Sequence, residues 1–414
     1  MPNAFNTIKA AGQVLAKAAA QEFVDNLKFG KSIAKADETD FDGKNGYKAG
    51  DTIQISKPAR FIPQSGSFDI TSTKRDIIEE RTPLALDIMQ TVGLSLNSME
   101  EATELGLKSL INRAIRPAAR SLAQFVEQDL LLRATQATGN LVGTAGSTAF
   151  TVADIQAAKV TMNENLCPVD DERYLLLTAR SGAAAVDARK GLFQSSEEIA
   201  KQYKGGYVGM ADSFNWMENE LLYTHTNGND VTGVAVNAAP AEGATSIVLN
   251  GLTANTGTIT KGSSFTIAGV FRVHPITKQV TNQLQQFVVT NTPAAATAGG
   301  LVTVSVYPAF YAAATDGRRN IGALPAGSAT VVFSGVASTS YVQNLAFHKE
   351  AFRMASVPLM MPKNVEMAEQ FTVDGFTVAI VQAFDVNKRE MITRLDFLGG
   401  LAAVRPEWAC RITS

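Results

Sequence analysis

The sequence predicts an α+β fold that carries an all-β insertion, and three observations say so. Ser98 to Thr138 has the apolar period of a helix, and short runs of alternating apolar and polar residues flank it on both sides. Between Tyr223 and about Ser340 charged residues thin out, Thr, Val, Ala, Gly and Asn dominate, and short β runs recur without an amphipathic helix. Mixed helix and strand patterns then resume to the end of the chain, so the β-rich stretch interrupts a fold begun before it.

Residues 1–48 read as a helix with Phe5, Ile8, Leu15 and Phe23 on one face, followed by the polar stretch ADETDFDGKNGYKAG, an arm that docks on something else. AKAAAQ after Leu15 faintly resembles a signal-peptidase site, but Lys9 and Lys17 interrupt the required apolar region, so export is not expected. Residues 49–97 read as a protruding hairpin. Thr52–Lys57 alternates as a strand, Pro58, Pro63, Gln64, Ser65 and Gly66 break it, and a second extended run goes from Phe68 through Ile77 and Ile78, past Pro83, to Val92. Such a hairpin buries little within its own chain and needs a partner.

Ser98 with Glu101 makes a capping box, and Gly139 supplies a stop. Ile111, Ile115, Ala118, Leu122, Phe125 and Leu132 form the expected apolar stripe, with Arg113, Arg116, Arg120, Gln124 and Glu127 facing elsewhere. Pro117 lacks an N–H and clashes with the preceding turn, so the helix breaks near Arg116 and a long helix, roughly 30 Å, starts at Pro117. The plain reading of this helix is a core element. Residues 139–220 alternate: a helix from Phe150 to Asn165, a buried strand Arg173–Thr178, a helix from Ser181 to Lys190, then strands broken by a turn between Gly205 and Met217.

Within 223–340 the β runs are Ser246–Leu249, Ser263–Ile267, Val270–Val273, Leu284–Val289, Leu301–Tyr307 and Ala329–Phe333, the spacing of a small sandwich or barrel. Afterwards Asn344–Phe352 reads as a strand turning into a helix. Phe371–Phe384 reads as a hairpin turning at Asp374-Gly375, with further strand at Arg394–Leu398 and Leu401–Val404.

The totals exclude several classes. The 414 residues suffice for two or three domains, 18% charge is low, and a net charge of −2 argues against condensing nucleic acid by basicity. No stretch reaches 18 apolar residues, so no membrane span is expected. The 2 cysteines, Cys167 and Cys410, lie far apart and read as buried thiols in a reducing compartment. His225, His274 and His348 have no metal-ligand spacing, and no nucleophile elbow, phosphate loop or dinucleotide fingerprint occurs. Lys204-Gly205-Gly206 is a turn, and Asp170-Asp171-Glu172 and Asp37, Glu38, Asp40 and Asp42 read as solvated carboxylates. Catalytic, cofactor and metal sites are all expected to be absent. Arg113, Arg116 and Arg120 lie near one helix face, solvated or set against phosphate or a neighbour's carboxylates.

Three stretches carry a resemblance: the hairpin leading into AIRPAARSLAQFVEQDLL, the run SFTIAGVFRVHPITKQVTNQLQQFVVT (Ser264–Thr290), and NLAFHKEAFRMASVPL (Asn344–Leu359) with the ending RLDFLGGLAAVRPEWACRI. They are similar to the P22-like family of tailed-phage major coat proteins, which have the HK97 capsid fold, and the order of parts agrees along nearly the whole chain. The resemblance implies an N-arm at 1–48, an E-loop at 49–97, a P-domain spine helix and first part of an A-domain at 98–222, an inserted β-barrel or sandwich at 223–340, and the rest of the A- and P-domains at 341–414. It implies a non-enzymatic protein that assembles with itself into pentamers and hexamers of an icosahedral shell. The shell would enclose double-stranded DNA without sequence preference, built in the host cytoplasm with a scaffolding protein and a portal, a decoration protein being an optional partner and a membrane none. Assembly contacts are expected at Lys57, Arg60, Phe61, Phe68, Lys74, Arg75, Arg113, Arg116 and Arg120. Lys57 and Lys74 flank the hairpin tip, but no motif carries over the covalent crosslink of some HK97-fold coats, so none is expected. A β-rich tail or adhesin protein is the competing reading, predicting fibres or rings. An enzyme with an inserted lid is the third, and it lacks a candidate pocket.

Overall fold

The computed structural model describes residues 4–36, 50–57, 80–97, 111–146, 150–189, 209–313, 317–363, 365–388 and 390–413. The chain divides into two compact units, the first made of Met1–Ile55, Arg81–Leu131 and Phe352–Val404, the second of Ser56–Glu80, Leu132–Ala351 and Arg405–Ser414.

In the first unit helix α1 (Ala4–Asp25) packs on an open sheet. The sheet runs, in order, Ala34–Lys35, Phe352–Ser356, Glu390–Ala403, Phe376–Asp385 and Met367–Val373, with Ile88–Asn97 also paired to Glu390–Ala403. Strand alternation decides its two faces. Met391, Thr393, Leu395 and Phe397 are buried, and Phe23 of α1 stacks on Phe397 at 5.1 Å and meets Phe376 edge-on at 6.1 Å. The expected hairpin at Asp374-Gly375 is present, and the two expected strand pieces near the C-terminus are one strand, Glu390–Ala403.

Two expectations for this unit are corrected. The hairpin in 49–97 does not leave its described residues without a partner in their own chain. Thr52–Lys57 pairs with Glu80–Ala85, and Ile53, Ile55, Leu84 and Leu86 form a core with Val357, Leu398, Ala402 and Val404. Gly400 permits the approach, since a Cβ there would stand 2.7 Å from Leu84 Cδ2. The tip, 58–79, lies outside the described residues.

The second correction concerns helix α2 (Arg116–Ala137), which follows a π-helical turn at Ile111–Ile115, so the break does fall before Pro117. Its buried face is Ala119, Leu122, Ala123, Val126 and Leu130, whereas Phe125 is 57% exposed. Glu127, expected to face elsewhere, is buried at 1% exposure. Its carboxylate accepts the backbone N–H groups of Lys28 at 3.0 Å, Phe29 at 2.6 Å and Gly30 at 3.1 Å, at the start of the helical turn Phe29–Ser32. A helix N-terminus supplies orphan donors and a positive dipole end, so a carboxylate can be buried there.

In the second unit α3 (Val152–Glu164) starts with Thr151 and Asp154 in a reciprocal capping box, and α4 is Ala179–Arg189. They accompany a mixed sheet in the order Leu141–Gly143, Ala409–Thr413, Ser340–His348, Arg173–Leu177, Phe214–Glu218 and Met210–Ala211, with Thr224–Thr226 also on Ser340–His348. The helix expected after Asn344 is only a single 3-10 turn, Lys349–Ala351, followed by the strand Phe352–Ser356. Burial of Phe352 and Met354 on the sheet overrides the helical preference of Glu350 and Ala351.

The remaining strands of this unit form a closed antiparallel barrel: Ala235–Val236, Ser246–Asn250, Val302–Tyr307, Val280–Val289, Ser264–Val273 and Val331–Phe333. The ring closes where Ala235 bridges Thr330, with Val236 N–H on Ala329 O and Val331 N–H on Val234 O, both 2.9 Å. The two runs around Ala268-Gly269 are one strand with a register shift between Thr266 and Phe271, and Gly269 takes φ +80° there. Phe265, Phe287, Phe310 and Phe333 fill the interior with Val234, Val236, Leu249, Val289 and Val304. The chain enters and leaves the barrel at one place, since Thr226 pairs with Ser340.

Candidate assembly surfaces

Asp170, Glu172 and His348 place their ligand atoms within 4.8 Å of one another. Nδ1 of His348 accepts the Glu350 N–H at 3.2 Å, so in the neutral ring Nε2 carries the proton and donates to Asp170 Oδ2 at 3.2 Å. Glu172 Oε1 takes the Lys349 ammonium at 2.5 Å. The imidazole offers no lone pair to a cation, and both carboxylates already have donors. Burial opposes the Asp170 carboxylate, yet hydrogen bonds from His348 and the Glu172 amide outweigh it and hold its carboxyl below the usual range. The acidic triplet read as a solvated loop is thus tied to the strand Ser340–His348. Burial pushes the Cys167 thiol up to about 11 and the Cys410 thiol up to about 12, so neither is a nucleophile at neutral pH.

Of the expected contact residues, Arg60, Phe61, Phe68, Lys74 and Arg75 lie outside the described residues. Lys57 ends the strand Thr52–Lys57, half-buried. Arg113 sits exposed on the π turn, and Arg116 and Arg120 are exposed on the first turns of α2. The structure brings these last two together on Glu22 of α1: Arg120 Nε donates to Oε1 at 2.5 Å and Arg116 Nε lies 3.6 Å from Oε2. The Arg120 hydrogen bond, with the charges of both arginines, keeps the Glu22 carboxyl below its ordinary value. These arginines meet a carboxylate of their own chain.

The sheet of the first unit leaves part of its other face exposed, beyond the stretch that Leu398 and Ala402 bury. Ile392 and Arg394 alternate with the buried residues of the longest strand, and Met89 and Met360 are 57% and 65% exposed. Met89, Thr91, Met360, Val381, Arg394 and Asp396 line a groove of about 230 Å³ there. Asp396 holds the rim, accepting from Thr91 Oγ1 at 2.7 Å and from Arg394 Nε at 2.7 Å.

Sequence reasoning missed the residues that hold the barrel to its host sheet. Gln286 bonds Leu141 in both directions, Oε1 accepting its N–H at 2.9 Å and Nε2 donating to its carbonyl at 2.8 Å. Arg272 donates to Glu164 Oε2 and to Asn165 Oδ1, both at 2.9 Å. Tyr307 donates to Glu407 at 2.8 Å, and Ser264 to the Gly139 carbonyl at 3.1 Å. The only hint in the sequence was polar residues at strand positions within the β-rich stretch.

The described residues thus combine an open sheet with a partly exposed apolar face and a closed barrel bonded to a second sheet. The model of the family described as P22 coat protein - gene protein 5 matches residues 4–411. The chain belongs to that family: it is a phage major capsid protein that forms the shell. Comparison with curated proteins finds no match. Among solved structures, the chain is similar to one from Mycobacterium phage Che8 (9% identity, 93% of this chain and 90% of that one, TM-score 0.47). It is also similar to the capsid of Ralstonia phage GP4 (10% identity, 92% and 87%, TM-score 0.46). The CUS-3 coat protein I-domain aligns at 25% identity over 25% of this chain and 96% of its own, with TM-score 0.19.

Proposed function

We propose that this coat protein assembles through the HK97 arrangement, as pentamers and hexamers that close an icosahedral shell around double-stranded DNA. In this reading residues 1–48 are the N-arm, 49–97 the E-loop, 98–222 the spine helix and first part of the A-domain, 223–340 an inserted domain, and 341–414 the remainder. Scaffolding protein and portal act during assembly in the host cytoplasm, and decoration protein is optional. The observation that carries the reading is the strand Ile88–Asn97. It holds ten backbone positions against Glu390–Ala403, and no described strand pairs with its other edge. Edges of that length are normally covered, and in a shell a neighbouring copy covers them. The candidate contacts Lys57, Arg60, Phe61, Phe68, Lys74 and Arg75 would then lie along the same hairpin.

Negative-stain microscopy of the chain expressed alone and with a scaffolding protein tests this. Closed shells or polyheads are expected, with no ladder of covalent multimers on denaturing gels. Small soluble species in both preparations, without rings or shells, would overturn the reading, whereas fibres or rings without shells would favour the tail-protein alternative.

A further inference from the structure

One face of the host sheet in the second unit carries a buried cation without a counter-charge. Arg411 is 1% exposed on the strand Ala409–Thr413. Its Nη1 donates to the Gly262 carbonyl at 2.7 Å and to Gln343 Oε1 at 3.0 Å. Its Nε and Nη2 have no hydrogen-bond partner, and the hydroxyl of Thr413 has none either. Register places these groups on one face of the sheet. Leu345 pairs with Arg411, Gln343 with Thr413 and Tyr341 with His225, so side chains of Gln343, Arg411, Thr413 and His225 leave the same face. The bond to Gln343 draws the guanidinium along its strand toward Thr413, the residue directly opposite Gln343. Gly262 and Ser263 of the barrel cover it, Ser263 Oγ lying 3.2 Å from His225 Nε2.

No carboxylate among the described residues pairs with Arg411; the ionisable groups whose charges reach it are Cys410 and Tyr223, and it acts in turn on His225. Burial pushes the guanidinium down to about 10, which leaves it charged at neutral pH. A buried charge with part of its donors unused is strongly unfavourable unless something accepts from it. The unused groups are three guanidinium N–H bonds, one on Nε and two on Nη2, and a hydroxyl, all able to donate. A water molecule would accept hydrogen bonds and leave the charge uncompensated. A small monovalent anion would do both.

We propose that Arg411 and Thr413 bind one halide-sized inorganic anion, chloride under ordinary conditions, between the barrel and its host sheet. The anion neutralises the guanidinium where Gly262 and Ser263 close over it. The site is independent of how the shell assembles.

The test is thermal unfolding of the full chain as sodium chloride replaces sodium gluconate at constant ionic strength, gluconate being too large to enter. The midpoint rises saturably with chloride, by about 3 °C when the site is filled. Arg411→Met, which removes the charge along with the site, unfolds at one midpoint in both salts. Should that variant fail to fold, anomalous scattering from bromide-soaked crystals of the unaltered protein gives the second readout, with a peak expected beside Nε and Nη2. Equal midpoints in both salts, a chloride shift that persists in Arg411→Met, or no bromide peak at the guanidinium would each overturn the proposal in favour of water.

Discussion

The barrel and the open sheet of the first unit are both antiparallel, and they treat their edges in opposite ways. The barrel's six strands close on themselves through Ala235 and Thr330, and its aromatic residues point inward. The sheet on α1 stays open, presents Ile88–Asn97 at one side, and leaves Met89, Phe384 and Ile392 exposed. Closure removes sticky edges, whereas an open edge is stable in solution only if something covers it. One region meets its strand hydrogen-bonding needs within itself, and the other leaves an edge of Ile88–Asn97 that no described strand pairs.

That contrast can be broken most forcefully inside the barrel. Phe287 is fully buried, 4.9 Å from Phe310 and 5.8 Å from Phe265 between ring centroids. Phe287→Ala is expected to cost about 4 kcal/mol, read as a lower urea midpoint for the phase reporting the barrel. A change confined to the other unit's phase would refute self-contained barrel packing.

In the open-sheet unit the corresponding weak point is polar. Glu127→Ala strands three backbone donors and should cost about 3 kcal/mol. Glu127→Gln keeps one acceptor oxygen and should recover part of that loss. Hydrogen exchange at Phe29 and Gly30 measures both variants, and unchanged protection in Glu127→Ala would remove the latch from the account.

Acid should act on the barrel's attachment first. Burial, aided by the charge of Arg411, lowers His225 to about 4 from an ordinary 6.5. The unfolded chain therefore takes up the proton first on acidification. This contribution is complete above about pH 6.5 and is lost as pH falls toward 4, by at most about 3 kcal/mol. A pH series of denaturant midpoints should flatten across that window in His225→Gln, and an unflattened profile would assign the acid sensitivity elsewhere.

Smaller effects come from the polar contacts. Arg272→Ala should cost about 1 kcal/mol, and its coupling to Glu164→Ala in a double-mutant cycle should account for most of that; no coupling would mean that Gln286 and Tyr307 hold the barrel without it. Arg120→Ala breaks an exposed pair and should cost under about 0.5 kcal/mol. If it nevertheless lowers the yield of closed shells, Arg120 contacts a neighbour as well as Glu22, and if yield is unchanged its role is confined to α1.

Local pattern determined much of this protein. The alternation of Thr52–Lys57, the Asp374-Gly375 turn, the capping box at Thr151, the π-to-α break before Pro117 and the recurrent β runs of 223–340 all depend on residues close in sequence, where backbone preference and periodicity act directly. Tertiary structure decided the rest. Which side of α2 is buried depended on a carboxylate accepting three N–H groups from a segment far away in sequence, so Glu127 went in and Phe125 stayed out. Lys349–Ala351 became a single turn because the sheet claimed Phe352 and Met354. Barrel closure and the meeting of His348 with Asp170 join residues far apart in sequence. Their energy comes from partners that no local window contains.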